Sequence, residues 1–154
     1  MHHWLMKSEP GTFSIDDLAR KGSEPWDGVR NYQARNFMRD GMRVGDGVLF
    51  YHSNCAVPGV AGLAEVASAA YPDPSQFQPR NPHHDPDSPR DAPRWWLVDV
   101  RFVRKLDQVI ALDTLKTDAR LGDFALTRRG NRLSVLPVSA AQWRVILSHE
   151  KDSA

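Results

Sequence analysis

The sequence predicts one α+β domain in which short β-strands alternate with short capped helices. The stretch 45–66 holds two β-rich apolar runs bracketed by Gly45-Asp46-Gly47 and Pro58-Gly59, and this punctuation predicts two strands joined by a turn. Ser14 and Ser139 each begin a capping-box pattern, which predicts the first turn of a helix. A chain of 154 residues is long enough to bury a core without disulfides, so we expect a single domain over its whole length.

Composition leaves the activity open. Hydrophobic residues make up 41% and charged residues 25% of the sequence, near the averages for globular proteins of any activity. The net charge is only +1, so a polyanionic partner would be held by local basic patches rather than by overall charge. The single cysteine, Cys55, excludes an internal disulfide framework and favours a reducing compartment.

Neither a membrane span nor a signal peptide is predicted. No apolar run reaches the roughly 20 residues that a membrane helix needs. The N-terminus lacks the basic and then apolar pattern of a secretory signal. We therefore expect a soluble, cytoplasmic protein.

The first third of the chain alternates between strand and helix. His3–Lys7 predicts an opening strand that ends in a turn at Pro10, because proline cannot donate to a sheet ladder. The Ser14 helix should end at Gly22. The next segment, 22–31, has the glycine and proline content of a loop, yet it carries Trp26. A loop indole either fills the core or stacks on a ligand, and the sequence leaves both open.

Asn31 has two competing roles in the sequence. Its side chain is well placed to cap a helix over Tyr32–Arg39, and the same amide is suited to hydrogen-bonding a base edge. Helical spacing puts four apolar or aromatic residues on the inner face of this helix: Tyr32, Ala34, Phe37 and Met38. Arg35 and Arg39 fall on the outer face.

The middle of the chain contains a long proline-rich loop. A strand is expected over 63–71, followed by a loop over 72–93 with seven of the eleven prolines. Loops of this length usually have a function of their own or are disordered. His83-His84-Asp85 in this loop lacks the ligand spacing of a metal site.

The loop leads into Trp95-Trp96 and a half-buried strand over 97–103. Consecutive strand residues point to opposite faces, so one indole can enter the core while the other lies at the surface or in a cavity. Three elements complete the chain. They are a short helix over 112–117, a last strand over 132–136 that ends before Pro137, and the Ser139 helix, which has Trp143 in its apolar stripe.

No catalytic motif accompanies these elements. A nucleophile elbow, a phosphate-binding glycine loop, a dinucleotide fingerprint and a spaced zinc quartet are all missing from the sequence, so we predict no catalytic residue, cofactor or metal. His52 and Glu65 are candidate acid and base, but they lie on separate predicted strands. What the chain offers instead is tryptophan outside helical stripes, a polar strand end at His52-Ser53-Asn54, and two arginine clusters around 30–43 and 128–132. These residue types suit a flat heterocycle and its phosphates.

Several blocks of the sequence resemble the EVE domain family. They are Trp4–Pro10, Trp26–Asn36, the Gly45-Asp46 to Ser53 stretch, Pro58–Gly62, Pro93–Trp96 and Leu133–Val138. The resemblance runs from about residue 4 to residue 147. It implies a PUA-like fold, a mixed and mostly antiparallel β pseudo-barrel flanked by short helices, related to the YTH readers of methylated adenine.

The family resemblance also implies a function. EVE domains are thought to hold modified cytosines of DNA in an aromatic cage, which predicts a non-catalytic reader of a 5-substituted cytosine flipped out of DNA. The predicted base pocket is Trp26, Asn31, Lys7, Ser8, His52 and Ser53, with Trp95 or Trp96 completing the cage. The predicted backbone-binding residues are Arg30, Arg35, Arg39, Arg128, Arg129 and Arg132. A nuclease or a base-modification system is a candidate downstream partner.

Three alternatives remain open at this point. PUA-like relatives often bind RNA, so an RNA-binding module is one. An enzyme that acts on a small modified nucleotide through His52 and Glu65 is another. The third is a small-molecule sensor, whose affinity would not depend on the charges of Arg128 and Arg129.

Overall fold

The computed structural model describes residues 1–150, so the last four residues of the predicted domain lie outside the described part of the chain. The strands are β1 His3–Ser8, β2 Ser23–Pro25, β3 Gly47–His52, β4 Gly59–Val66, β5 Tyr71–Pro72, β6 Trp96–Leu97, β7 Asp99–Ala111 and β8 Val135–Val138. The α-helices are α1 Ile15–Lys21, α2 Tyr32–Asn36, α3 Leu112–Lys116 and α4 Ala140–Ser148. Within residues 1–150, no helix has the length and apolar content to cross a bilayer.

Six strands form one mixed sheet, and two short strands form a second. The order in the large sheet is β2-β7-β4-β3-β1-β8, and β5 pairs with β6. Only β1 and β3 pair in parallel among these neighbours; the other pairs are antiparallel. Irregularities between Phe50 and Tyr51 and between Val60 and Gly62 bend the sheet, as β-bulges do, and it curls into a half-barrel. The predicted mixed, mostly antiparallel architecture with short helices is confirmed.

The large sheet is covered on both faces. Val48 and Phe50 belong to one buried cluster and Leu49 and Tyr51 to another, because successive strand residues point to opposite faces. Helices α1 and α2 contribute to the first cluster, and α3 and α4 to the second. A strand buried on both faces reads as a continuous apolar run, which is the pattern that β3 shows.

The predicted helix starts are confirmed. Ser14 accepts from the backbone of Asp17, whose side chain accepts from Ser14 in return, and Gly22 follows the helix with φ +86°. Ser139 and Gln142 form the same reciprocal pair at the start of α4. Asn31 accepts from the Ala34 backbone at 3.0 Å and caps α2.

The second predicted helix differs from the structure after its first turn. It is α-helical only to Asn36 and continues as a π-helical turn over Phe37–Gly41. Gly41 lies so close to the Trp4 ring that a β-carbon there would come within 2.9 Å of it. Tyr32, predicted to face inward, is 53% exposed.

Three strand boundaries also differ. The strand predicted over 63–71 ends at Val66, and the one predicted to end at residue 103 continues to Ala111. Pro137 lies inside β8 rather than after it. Because β8 is an edge strand, the missing proline N–H leaves no neighbouring strand unpaired.

The proline-rich segment folds around one buried glutamine. Gln76 donates to the carbonyls of Asp73 and Trp95 at 2.7 and 2.8 Å, and its own oxygen accepts from Ser88 at 2.6 Å. A 3-10 turn over Pro74–Phe77 places it there. This side chain replaces the backbone ladder that the prolines cannot make.

Candidate functional site

A cavity of about 420 Å³ opens beside the C-terminal end of β1. Its floor comes from β1 and its walls from the loop after β1, the loop after β2 and the proline-rich segment. The lining residues are Lys7, Ser8, Glu9, Thr12, Phe13, Glu24, Pro25, Trp26, Asp27, Gly28, Val29, Arg30, His83 and Ser134. The volume falls in the range of small-molecule sites.

Trp26 forms one wall of this cavity. The residue is 8% exposed and its ring meets Phe50 edge-on, with 5.6 Å between centroids. Within the described part of the chain, the indole N–H of Trp26 has no hydrogen-bond acceptor. Every fully buried side-chain nitrogen in that part of the chain does have a hydrogen-bond partner. The indole nitrogen of Trp26 is therefore not fully buried, and its N–H is available to a ligand.

His83 also lines the cavity, and its ring packs against a glycine. Gly28 has φ +83°, and a β-carbon on it would come within 2.6 Å of the His83 ring. This conformation strongly favours glycine. The cavity thus takes its shape from a backbone position that no other residue fits without strain.

Arg30 fastens the proline-rich segment to the cavity. Its guanidinium donates to the His83 carbonyl at 2.7 and 3.1 Å, to the Asp73 carboxylate at 3.1 Å and to the Ser75 hydroxyl at 3.1 Å. The same group lies 5.2 Å from the centre of the Trp95 ring. These internal contacts give Arg30 a structural role that differs from its predicted phosphate contact.

Two charged side chains that line the cavity, Lys7 and Asp27, have shifted pKa values. Burial lowers the pKa of the Lys7 ammonium, which lies 5.9 Å from the centre of the Tyr51 ring. Burial also raises the pKa of the Asp27 carboxyl, and the negative charge of Asp73 adds to the effect. In both cases removal of water disfavours the charged form.

A second, basic groove of about 530 Å³ begins on the other side of Lys7. It is lined by Lys7, Tyr51, Leu112, Lys116, Leu126, Thr127, Arg128, Arg129, Gly130 and Asn131. Burial, the largest cause, raises the pKa of the Tyr51 hydroxyl to about 12. We call this surface the basic groove. Lys7 lines both the cavity and the basic groove, so the two concavities are neighbours.

The structure brings some of the predicted site residues together. Lys7, Ser8, Trp26 and Arg30 line the cavity, and Arg128 and Arg129 line the basic groove. Five predicted pocket residues line neither: Asn31, His52, Ser53, Trp95 and Trp96. The cavity therefore lies beside Trp26 and the end of β1, and does not extend to the end of β3.

His52 and Asn31 have structural partners. The His52 Nε2 atom accepts a hydrogen bond from the Ile15 N–H at 3.1 Å and so supports the start of α1. Burial lowers the pKa of this imidazole, which keeps it in the neutral form that can accept. The Asn31 oxygen is used by the α2 cap described above. The Ser53 backbone donates to Ser8 at 3.0 Å.

The tandem tryptophans occupy different environments, as predicted. Trp95 is 6% exposed, stacks on Tyr32 at 4.9 Å and donates to the Asp85 carboxylate at 2.7 Å. Trp96 is half-buried and donates to the Pro93 carbonyl at 3.1 Å. Both indole N–H groups are thus occupied, unlike that of Trp26.

The remaining predicted arginines lie outside both concavities. Arg35 donates to the Arg94 carbonyl at 2.7 Å and packs its guanidinium 4.8 Å from the Tyr32 ring centre. Arg39 pairs with Asp40 at 2.9 Å, and Arg132 is exposed. These side chains remain accessible on the surface.

Ten of the fourteen lining residues were not predicted as site residues, and they include Thr12, Phe13, Asp27 and His83. Asp27 stands next to Trp26 in a block that the family resemblance already marked, so a signal for it existed. His83 was considered only as a metal ligand. Its place beside Gly28 depends on the fold of a loop with no periodic pattern, and no local signal reveals it.

Comparison with known proteins identifies relatives over nearly the whole chain. The EVE domain model matches residues 2–149. Thymocyte nuclear protein 1 from Homo sapiens is 45% identical over 168 aligned residues, covering 97% of this chain and 74% of that protein. The protein of the same name from Mus musculus is 44% identical over the same shares of each chain.

Solved structures agree with this relationship. The structure of the human THYN1 protein in complex with 5-methylcytosine-containing DNA has a TM-score of 0.91 and 45% identity, with 98% of each chain covered. A protein from Pseudomonas syringae has a TM-score of 0.93 and 47% identity, covering 96% of this chain and 99% of its own. The predicted PUA-like architecture is confirmed by these neighbours.

The predicted location is wrong. The expected cytoplasmic location is contradicted by the human, mouse and rat relatives, all of which are named as a nuclear protein. The patterns used for the prediction separate membrane and secreted chains from the rest, and they carry no information that divides cytoplasm from nucleus. With a family model that spans 2–149 and relatives of about 45% identity over nearly its full length, the chain belongs to the EVE domain family.

Proposed function

We propose that this protein is a non-catalytic reader of a modified cytosine in DNA, which it holds in the cavity beside Trp26. The observation that carries the proposal is the indole N–H of Trp26, which has no acceptor among residues 1–150 and lines a cavity of about 420 Å³. The DNA complex of the human relative, which contains 5-methylcytosine, supports the same class of ligand.

The cavity suits a planar base. Three of its lining residues carry aromatic rings: Trp26, Phe13 and His83. Stacking of a base on an aromatic side chain contributes about 1 to 3 kcal/mol. A base enters such a site only after it leaves the helix stack, so the proposal includes base flipping. In this arrangement Phe13 and His83 take the place that the sequence assigned to Trp95 or Trp96.

The basic groove suits the phosphates that flank the flipped nucleotide. Four of its lining residues are cationic and none carries a carboxylate: Lys7, Lys116, Arg128 and Arg129. Lys7 has no carboxylate partner within the described residues and sits between base and backbone. Arg35, Arg39 and Arg132 lie outside the groove, where they are available to phosphates farther along the strand. Neutralising phosphates in this way makes affinity fall with added salt.

The proposed absence of catalysis rests on the positions of the candidate acid and base. His52 pairs with Gly59 at one end of the β3–β4 hairpin, while Glu65 pairs with Gly47 at the other. Glu65 lies six positions beyond Gly59 along β4, which is roughly 20 Å at 3.3 Å per residue. Two groups so far apart cannot act on one substrate atom.

The test is binding of a duplex with one 5-methylcytosine by Trp26→Ala. Loss of stacking should weaken binding about 10- to 100-fold, measured by fluorescence anisotropy. Trp143→Ala is the matched control, since Trp143 is half-buried against His3 and lines neither concavity. An RNA strand of the same sequence serves as competitor. Parental affinity in Trp26→Ala, or equal affinity for DNA and RNA, would overturn the proposal.

A further inference from the structure

The cavity and the basic groove differ in the sign of their charged residues. Three residues that line the cavity carry carboxylates and two carry cationic groups, whereas the charged residues of the groove are all cationic. A phosphate is attracted to the groove and opposed by the acids of the cavity. A base with an exocyclic amino group finds hydrogen-bond acceptors in the cavity instead.

Two of the three carboxylates already have partners. Glu24 pairs with the Lys21 ammonium at 2.5 Å, and Glu9 accepts from the Asn54 amide at 3.0 Å. Asp27 makes no side-chain hydrogen bond or ion pair with the residues at positions 1–150. It is therefore the carboxylate in the cavity with both oxygens available.

Asp27 also lies next to the stacking wall. It follows Trp26 directly in sequence, and both line the cavity. Loss of water and then the charge of Asp73 raise the pKa of its carboxyl, so the charged form is poorly solvated. An entering N–H donor would supply a hydrogen bond.

We infer that Asp27 accepts a hydrogen bond from the N4 amino group of cytosine, so that the cavity selects cytosine bases over thymine. The inference rests on the proposed function and adds a selectivity to it. Thymine carries the same 5-methyl group as 5-methylcytosine, but it has a carbonyl oxygen where cytosine has the amino group. A carboxylate beside that oxygen is left unpaired, and such mismatches discriminate strongly.

The test compares two single strands that differ in one base, 5-methylcytosine or thymine. Single strands are used because they remove the energy of unpairing from the comparison. The parent should prefer the 5-methylcytosine strand about tenfold or more. In Asp27→Asn the preference should fall to within about twofold, because an amide can turn either its oxygen or its NH₂ toward the base.

Asp107→Asn is the control, because it removes the same charge from a residue that lines neither concavity, and it should keep the parental preference. Glu24→Gln removes the cavity carboxylate already paired with Lys21, and it tests the competing assignment of the role to Glu24. Circular dichroism and thermal melting establish that each variant is folded before binding is compared.

The outcomes separate this inference from the proposal beneath it. If the parent binds the 5-methylcytosine strand through Trp26 and Asp27→Asn keeps the full preference, the Asp27 assignment is wrong and the reader proposal stands. Loss of preference in Glu24→Gln alone would move the role to Glu24 and equally overturn the assignment. If Trp26→Ala binds both strands as the parent does, both claims fail together.

Discussion

Replacing Gly28 with alanine tests the packing that closes the cavity. The substitution puts a β-carbon within 2.6 Å of the His83 ring on a backbone with φ +83°. The backbone strain alone amounts to about 1 to 2 kcal/mol, and displacement of His83 adds about 1 kcal/mol. At about 2 to 4 °C per kcal/mol for a chain of this size, the melting temperature should fall by about 4 to 12 °C.

The control for this change is Gly45→Ala. Gly45 has φ +94°, and a β-carbon there meets nothing within 4 Å, so the variant carries the strain without the clash. The difference between the two melting temperatures measures the contact with His83. The double variant Gly28→Ala with His83→Ala should melt near Gly45→Ala. Equal melting temperatures for Gly28→Ala and Gly45→Ala would show that His83 does not pack on Gly28.

Three further predictions concern the charged residues. Arg30→Gln removes the contacts to Asp73, Ser75 and His83 and should lower the free energy of unfolding, measured with denaturant, by about 2 to 3 kcal/mol. Arg39→Gln removes an exposed ion pair and should lower it by under about 1 kcal/mol. Equal losses for the two variants would refute the structural role of Arg30. Because the pKa of Asp27 is raised, ionisation of its carboxyl lowers stability as the pH rises through the pKa of the folded protein. Asp27→Asn should therefore have a higher melting temperature than the parent at pH 7, and this difference should shrink as the pH falls toward 4. A difference that does not change with pH would contradict this prediction. Arg128→Gln with Arg129→Gln should lower the slope of log affinity against log salt by about 1 to 2, while Arg20→Gln, outside both concavities, should leave it unchanged.

The sequence predicted those parts of the fold whose signals are local. Ser14 and Ser139 show their capping partners three residues away, and the glycine and proline punctuation of the β3–β4 hairpin lies within it. Pro137 was misjudged because its tolerance depends on β8 being an edge strand, a property of the whole sheet. The π-helical turn after Asn36 ends at Gly41, which lies against Trp4, a residue remote in sequence.

The candidate site was predicted in part for the same reason. Trp26, Lys7 and Ser8 line the cavity together, and the family blocks marked all three. Trp95 and His52 are residue types that suit a base pocket, but the Trp95 indole N–H donates to Asp85 and the His52 ring accepts from the Ile15 N–H. Whether a side chain is already paired is decided by the tertiary structure, so a residue list cannot tell a free indole from a satisfied one. That the whole chain acts as one domain, with 72–93 as a functional loop, stays a prediction.

The most direct measurement of the central claim is the NMR signal of the Trp26 indole N–H during titration with a 5-methylcytosine strand. The Trp4 and Trp95 indoles donate to Asp46 and Asp85, so their signals serve as internal references, and Trp26→Phe assigns the resonance. If the base is held beside Trp26, its N–H signal shifts at saturation while those of Trp4 and Trp95 stay near their starting positions. A saturated complex in which the Trp26 signal has not moved would contradict the account.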